Sequence, residues 1–121
     1  MTRERFQQLV VEAVALIPKR FRREMKNLAL VVEDEPAPDL LAEMEIEPPD
    51  SLYGLYQGVP LTVRSSGALL MPDLITLFQE PLERDFPSRD QLRVQVRRTL
   101  LHEIAHFFGI SDARLRELNA Y

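Results

Sequence analysis

The sequence predicts an α+β domain, and three observations carry that prediction. Apolar residues recur at helical spacing near the N-terminus and again over a long stretch toward the C-terminus. Between them lie three short runs rich in apolar and β-branched residues, bounded by proline, glycine or acidic turns. The chain has 121 residues, 45% of them hydrophobic, which suits one small core, so a single domain over 1–121 is expected.

The elements follow in order. Thr2 can cap a first helix whose buried stripe is Phe6, Leu9, Val10, Ala13, Val14 and Ile17. Pro18 ends it, and the basic Pro18–Lys26 segment suits a short helix or turn with a solvated face. Leu28–Glu33 reads as a buried strand. Asp34–Asp50 turns acidic and proline-rich, so a long surface loop is expected, with one helical turn at Leu40–Met44. Its acids lack the spacing of a calcium loop. Leu52–Gln57 is a second strand, with Gly54 marking a bulge or a close backbone approach. Leu61–Arg64 is expected to extend that strand or add a short one between turns at Gly58 and Gly67, and Asp73–Gln79 is a further strand expected to be partly covered on both faces.

Ser88 with Gln91 three residues later forms a capping box that opens the main helix, expected over Arg89 to Phe108. Arg93, Arg97 and Arg98 should face water. From Leu100 onward this helix is apolar nearly all round except at His102, Glu103 and His106, so that half should lie deep in the fold. Gly109 supplies the left-handed stop, and a last helix is expected over about Asp112 to Leu118.

Composition excludes several classes. The net charge is −4, which does not suit a nucleic-acid surface. Cysteine is absent, so there are no disulfides and no thiolate metal sites, and a reducing compartment fits. No apolar run approaches the ~18 residues of a membrane span, and charge interrupts the N-terminus too early for a secretory leader. A cytoplasmic, monomeric protein without nucleic-acid or membrane partners is expected.

Chemistry concentrates at Leu100–Asp112, which holds both histidines of the chain. His102 and His106 are four apart, so they share one helix face and can close on one metal ion. Unpaired polar groups in so apolar a stretch would be costly, and a cation with ligands offsets that cost. Glu103 completes the H-E-x-x-H pattern, in which the glutamate is general base and acid beside a zinc-bound water. A catalytic zinc site takes three protein ligands. Gly109 lets the chain reverse, and Asp112 can return a carboxylate as the third. A second electrophile for the oxyanion is also needed, and Tyr53, Tyr56, Arg114 and Tyr121 are candidates by type alone.

The extended pattern His102-Glu103-x-x-His106-x-x-Gly109-x-x-Asp112 resembles the zincin metallopeptidases whose third ligand is aspartate, as in the snapalysin type. More of the chain is similar to the small zincin-like family, the minimal metallopeptidase-like proteins once catalogued as a domain of unknown function. Leu28–Glu33 leading into Glu35-Pro36, the run Gly54-Leu55-Tyr56-Gln57-Gly58-Val59-Pro60-Leu61, and Pro72–Glu80 look like that family's landmarks. The resemblance implies a zincin-like fold: a small mixed three- to four-stranded sheet packed on a long active-site helix, with N-terminal and short C-terminal helices. Metzincins carry histidine where Asp112 stands, and they have a methionine after it. Here nine residues follow Asp112, none of them methionine. A cleft with one wall is therefore expected, with weak binding of general protein substrates.

Three functions follow as expectations. The first is a Zn2+-dependent metallopeptidase acting on a peptide or unfolded protein substrate, which adds to an exposed strand edge. The second is a metal-binding zincin-like protein with little or no turnover, in a scaffold or interaction role. The third is a non-haem iron oxygenase, since two histidines and a carboxylate are also that ligand set.

Overall fold

The first helix, α1 (Arg3–Ala15), starts where the sequence expects it: the Thr2 hydroxyl accepts the Arg5 N–H at 3.2 Å. Its predicted stripe is buried at Phe6, Leu9, Val10 and Ala13, and Ile17 follows into the same core. The computed structural model of the protein describes residues 1–58 and 73–117. After Pro18 come a single-turn helix α2 (Lys19–Arg22), a 3-10 turn (Arg23–Met25) and strand β1 (Leu28–Glu33).

Strands β2 (Gly54–Gln57) and β3 (Asp73–Phe78) complete a mixed sheet in the order β1-β3-β2. β1 runs parallel to β3 and β2 antiparallel to it, so Ile75 pairs with both Leu30 and Tyr56. The central position of β3 explains why both its faces are covered, as its unbroken apolar run predicts. β1 corrects the expectation of a buried strand. Among the described residues it is an edge strand, on which Ala29, Val31 and Glu33 face water and the alternate residues face inward. LALVV is apolar on both faces, so its pattern could not show which side would be left open. The expected Leu61–Arg64 strand lies outside the described residues.

The acidic loop also holds more structure than expected. Helix α3 (Pro38–Glu43) starts at a proline in its first position, two residues before the predicted turn. It ends on Glu45, whose φ of 58° occupies the left-handed position ordinarily taken by glycine. A further helix, α4 (Gln79–Asp85), follows β3 directly, where a continuing strand end was expected at Gln79. Buried Gln79 binds the Arg3 guanidinium at 2.8 Å, and the same guanidinium reaches the Val32 carbonyl and Asp34. The start of α1 is thereby tied to the C-terminal ends of β1 and β3.

Helix α5 (Arg89–Phe107) opens on Ser88, whose hydroxyl accepts the Gln91 N–H at 3.4 Å. It packs against α1 and against β2 and β3. Leu92, Val96, Leu100 and Ile104 enter one core with Phe6, Ile75, Leu77 and Leu82. Each such large side chain contributes about 1.5–3 kcal/mol by leaving water. Leu101 departs from the expected all-round burial and is exposed. Gly54 is required where β2 meets the helix: a Cβ there would lie 2.8 Å from Thr99 Cγ2. The expected close approach is therefore real, and it brings the β2 backbone onto the C-terminal half of α5. Helix α6 (Asp112–Glu117) follows the α5 stop, and residues beyond 117 lie outside the described part. Among the described residues, no helix is long and apolar enough to cross a membrane.

Candidate metal centre

Four-residue spacing stacks His102 and His106 on one face of α5, with ring centroids 4.6 Å apart and the rings inclined at 76°. One residue further the helix stops. Gly109, at φ 84°, donates its N–H to the His106 carbonyl, and Ile110 donates to Ala105, both at 2.9 Å. This pair of bonds is a Schellman turn, and it needs a residue free to adopt the left-handed conformation. Ser111 then accepts the Arg114 N–H at 3.2 Å and starts α6, which puts Asp112 in its first turn. The chain has reversed, and the Asp112 carboxylate points back at the histidines. Its Oδ1 lies 3.0 Å from His102 Nε2 and 2.6 Å from His106 Nε2.

These three side chains form a group whose ligand atoms all lie within 4.8 Å of one another. Zinc bonds of ~2.0–2.2 Å in tetrahedral array place ligand atoms roughly 3.3–3.6 Å apart. The observed separations are those of hydrogen bonds, and a small opening of the triad would seat an ion. The donor set also fits, since two imidazoles and one carboxylate leave a fourth position open. Burial pushes the Asp112 carboxyl up, but the hydrogen bond and charge of His106, and then those of His102, outweigh it. They hold the group below the usual carboxylate range.

Glu103, expected as the general base, lies beside this triad and touches it through His106. It is 7% exposed. Its Oε1 accepts the Tyr56 N–H at 2.9 Å and lies 3.1 Å from His106 Nδ1. With Nδ1 donating to Glu103, His106 turns Nε2 toward Asp112, the arrangement by which a carboxylate orients a metal-binding imidazole. Both contacts use the same oxygen, so they leave Oε2 for proton transfer. The sequence did not point to the Tyr56 amide. A backbone donor has no side-chain signature, although the Gly54 approach signal lay two residues away.

A cleft of about 530 Å³ opens over the triad. Its floor is His102, Glu103, His106 and Asp112, and one wall is β2 at Gly54, Leu55 and Tyr56. Gln95, Arg98 and Thr99 of α5 continue the floor. Arg98 therefore does more than face bulk water: it is exposed, but it lines the cleft, while Arg93 and Arg97 are exposed elsewhere. Of the candidate oxyanion partners, Tyr53 gives its hydroxyl to Asp85 and packs edge-on to Phe86. Arg114 pairs with Glu117 at 2.9 Å on the surface. Tyr56 lines the cleft, and its ring packs against Phe107. Tyr121 lies outside the described residues.

A family profile for zincin-like metallopeptidases matches residues 25–121. The chain belongs to the zincin-like metallopeptidase family. No curated protein matches it. Members of this family typically bind zinc, and the zincin-like protein described here has one group of side chains suited to a metal among its described residues. The α+β architecture, with its small mixed sheet against a long helix, is the one expected of such a fold.

Proposed function

We propose that this zincin-like protein is a zinc-dependent peptidase that cleaves short or unfolded peptides. The observation that carries this reading is the convergence of His102, His106 and Asp112 beside the buried carboxylate of Glu103. Zinc, when bound, polarises the scissile carbonyl and makes water acidic enough to react near neutral pH. His102, His106 and Asp112 hold the ion. Glu103 takes the proton of the attacking water on Oε2 and returns it to the leaving amine. The Tyr56 amide keeps Glu103 aimed by its other oxygen. The cleft volume falls in the range of small-ligand sites, which favours a few residues of extended chain over a folded protein. The net charge of −4 accords with a peptide partner and against nucleic acid.

A second reading is a metal-binding protein with little turnover, because a cleft walled by β2 on one side would hold a peptide through few contacts. One experiment separates the two. Zinc content is measured in wild type and Glu103→Gln, and both are then given a peptide library with and without chelator. The peptidase reading expects equal zinc in both proteins and chelator-sensitive products from wild type. It expects Glu103→Gln to be slower by about 10²–10⁴-fold. Equal rates from the two zinc-loaded proteins would sink it, and zinc binding without products would leave the second reading standing.

A further inference from the structure

The functional reading uses the last two turns of α5 and leaves the turn before them without a role. That turn carries Gln95, Arg98 and Thr99, which line the same cleft as the triad. Arg98 precedes His102 by four residues and His106 by eight, so all three share one helix face. One turn of helix separates Arg98 from His102, about 6 Å along the axis. Among the described residues, Arg98 is the one basic side chain lining the cleft apart from the histidines themselves. The opposite wall, Gly54 to Tyr56, brings no charge to meet it. Gln95 donates to Thr99 Oγ1 at 3.2 Å, which settles the polar groups on either side of the arginine.

We infer that Arg98 receives a carboxylate of the substrate, and that this selects peptides bearing one within a residue or two of the scissile bond. The inference rests on the peptidase reading above. A guanidinium is a planar fork matched to a carboxylate and takes it through two parallel N–H bonds. Arg98 already makes a contact within the protein. Its five donors allow a carboxylate to be added beside that contact. Extended chain advances roughly 3.3–3.6 Å per residue. A guanidinium based one helical turn from the metal position therefore meets a group one or two residues from the reacting carbonyl. Two sources supply such a carboxylate: the free C-terminus of a short peptide, or an aspartate or glutamate side chain in a longer one.

The test reads binding, so that it stands apart from turnover. Full-length zinc-loaded Glu103→Gln protein is titrated calorimetrically with three probes: acetyl-Ala-Ala as the free acid, acetyl-Ala-Ala-amide, and acetyl-Ala-Glu-amide. The titrations are repeated with Arg98 changed to Gln and to Lys. Arg98 is exposed, so neither change threatens the fold. The expected result is that at least one carboxylate-bearing probe binds roughly 10- to 100-fold tighter than the neutral amide, as charge-assisted hydrogen bonds allow. Arg98→Gln should erase that preference, and Arg98→Lys should retain part of it. Preference for the free acid assigns the terminal carboxylate, and preference for the glutamyl amide assigns the side chain. The inference is overturned if all three probes bind alike or not at all. It is also overturned if the preference survives in Arg98→Gln, since the metal alone would then be taking the carboxylate. Loss of peptidase activity in wild type would overturn the functional reading while leaving this binding result to stand by itself.

Discussion

The two faces of α5 differ in what holds them. One face, Leu92, Val96, Leu100 and Ile104, is buried against α1 and the sheet, and its neighbours are apolar. The other, Arg98, His102 and His106, opens to a cleft; a carboxylate from beyond the helix meets the histidines, and a backbone amide from β2 meets Glu103 beside them. The buried face gains from area removed from water, which is non-directional. The cleft face depends on atoms placed to within a few tenths of an ångström. One helix therefore serves as both the spine of the fold and the floor of the site, and the comparison says that damage to the two should be separable.

The largest expected effect lies on the buried side. Leu100 is fully buried, so Leu100→Ala should lower stability by about 2–5 kcal/mol, read as a shifted denaturant midpoint. Zinc content per folded molecule should stay unchanged. If Leu100→Ala emptied the site while the protein stayed folded, the two faces would not be independent. The converse change is His106→Ala. It removes a ring that touches Asp112 and Glu103, and zinc affinity should fall by more than the ~10–100-fold typical of outer-shell partners. Its effect on metal-free stability should stay well below that of Leu100→Ala, as a paired thermal melt in chelator would report.

The smallest effect comes from the cleft rim. Burial first, and then the hydrogen bond and charge of Asp85, push the Tyr53 hydroxyl up to about 12 from 10.0. The folded protein thus favours the protonated phenol more than the unfolded chain does. The associated stability is fully present below pH 10 and is lost as pH rises through 12. The group is largely solvent-screened, so the effect should be slight. An absorbance titration that shows one tyrosine ionising near pH 12, absent in Tyr53→Phe, would confirm it. Ionisation of that residue near pH 10 would mean that neither its burial nor the Asp85 contact persists.

Much of this was legible in the residues. Thr2, Ser88 and Gly109 announced their helix ends because capping is local chemistry, carried by one side chain or by its absence. The pairing of His102 with His106 followed from helical periodicity alone. Asp112 was reachable because Gly109 signals a reversal, although the turn delivering it is built from backbone bonds of Ala105 and His106. Three features escaped. α3 closes on Glu45 in a glycine-like conformation, so its end carried no signal. The edge position of β1 is set by strand order, which one strand's composition does not encode. Glu103 is aimed by a residue 47 positions away through a main-chain N–H that every amino acid but proline possesses.

The reversal after α5 has one more consequence. α6 buries Leu115 in the interior, and another of its anchors is the grip of Asp112 on the two imidazoles. The fastener for this last helix and the seat for an ion are thus the same three side chains. Filling that seat would tighten the end of the chain as a buckle tightens a strap, and removing the Asp112 carboxylate would loosen the last helix and the seat together.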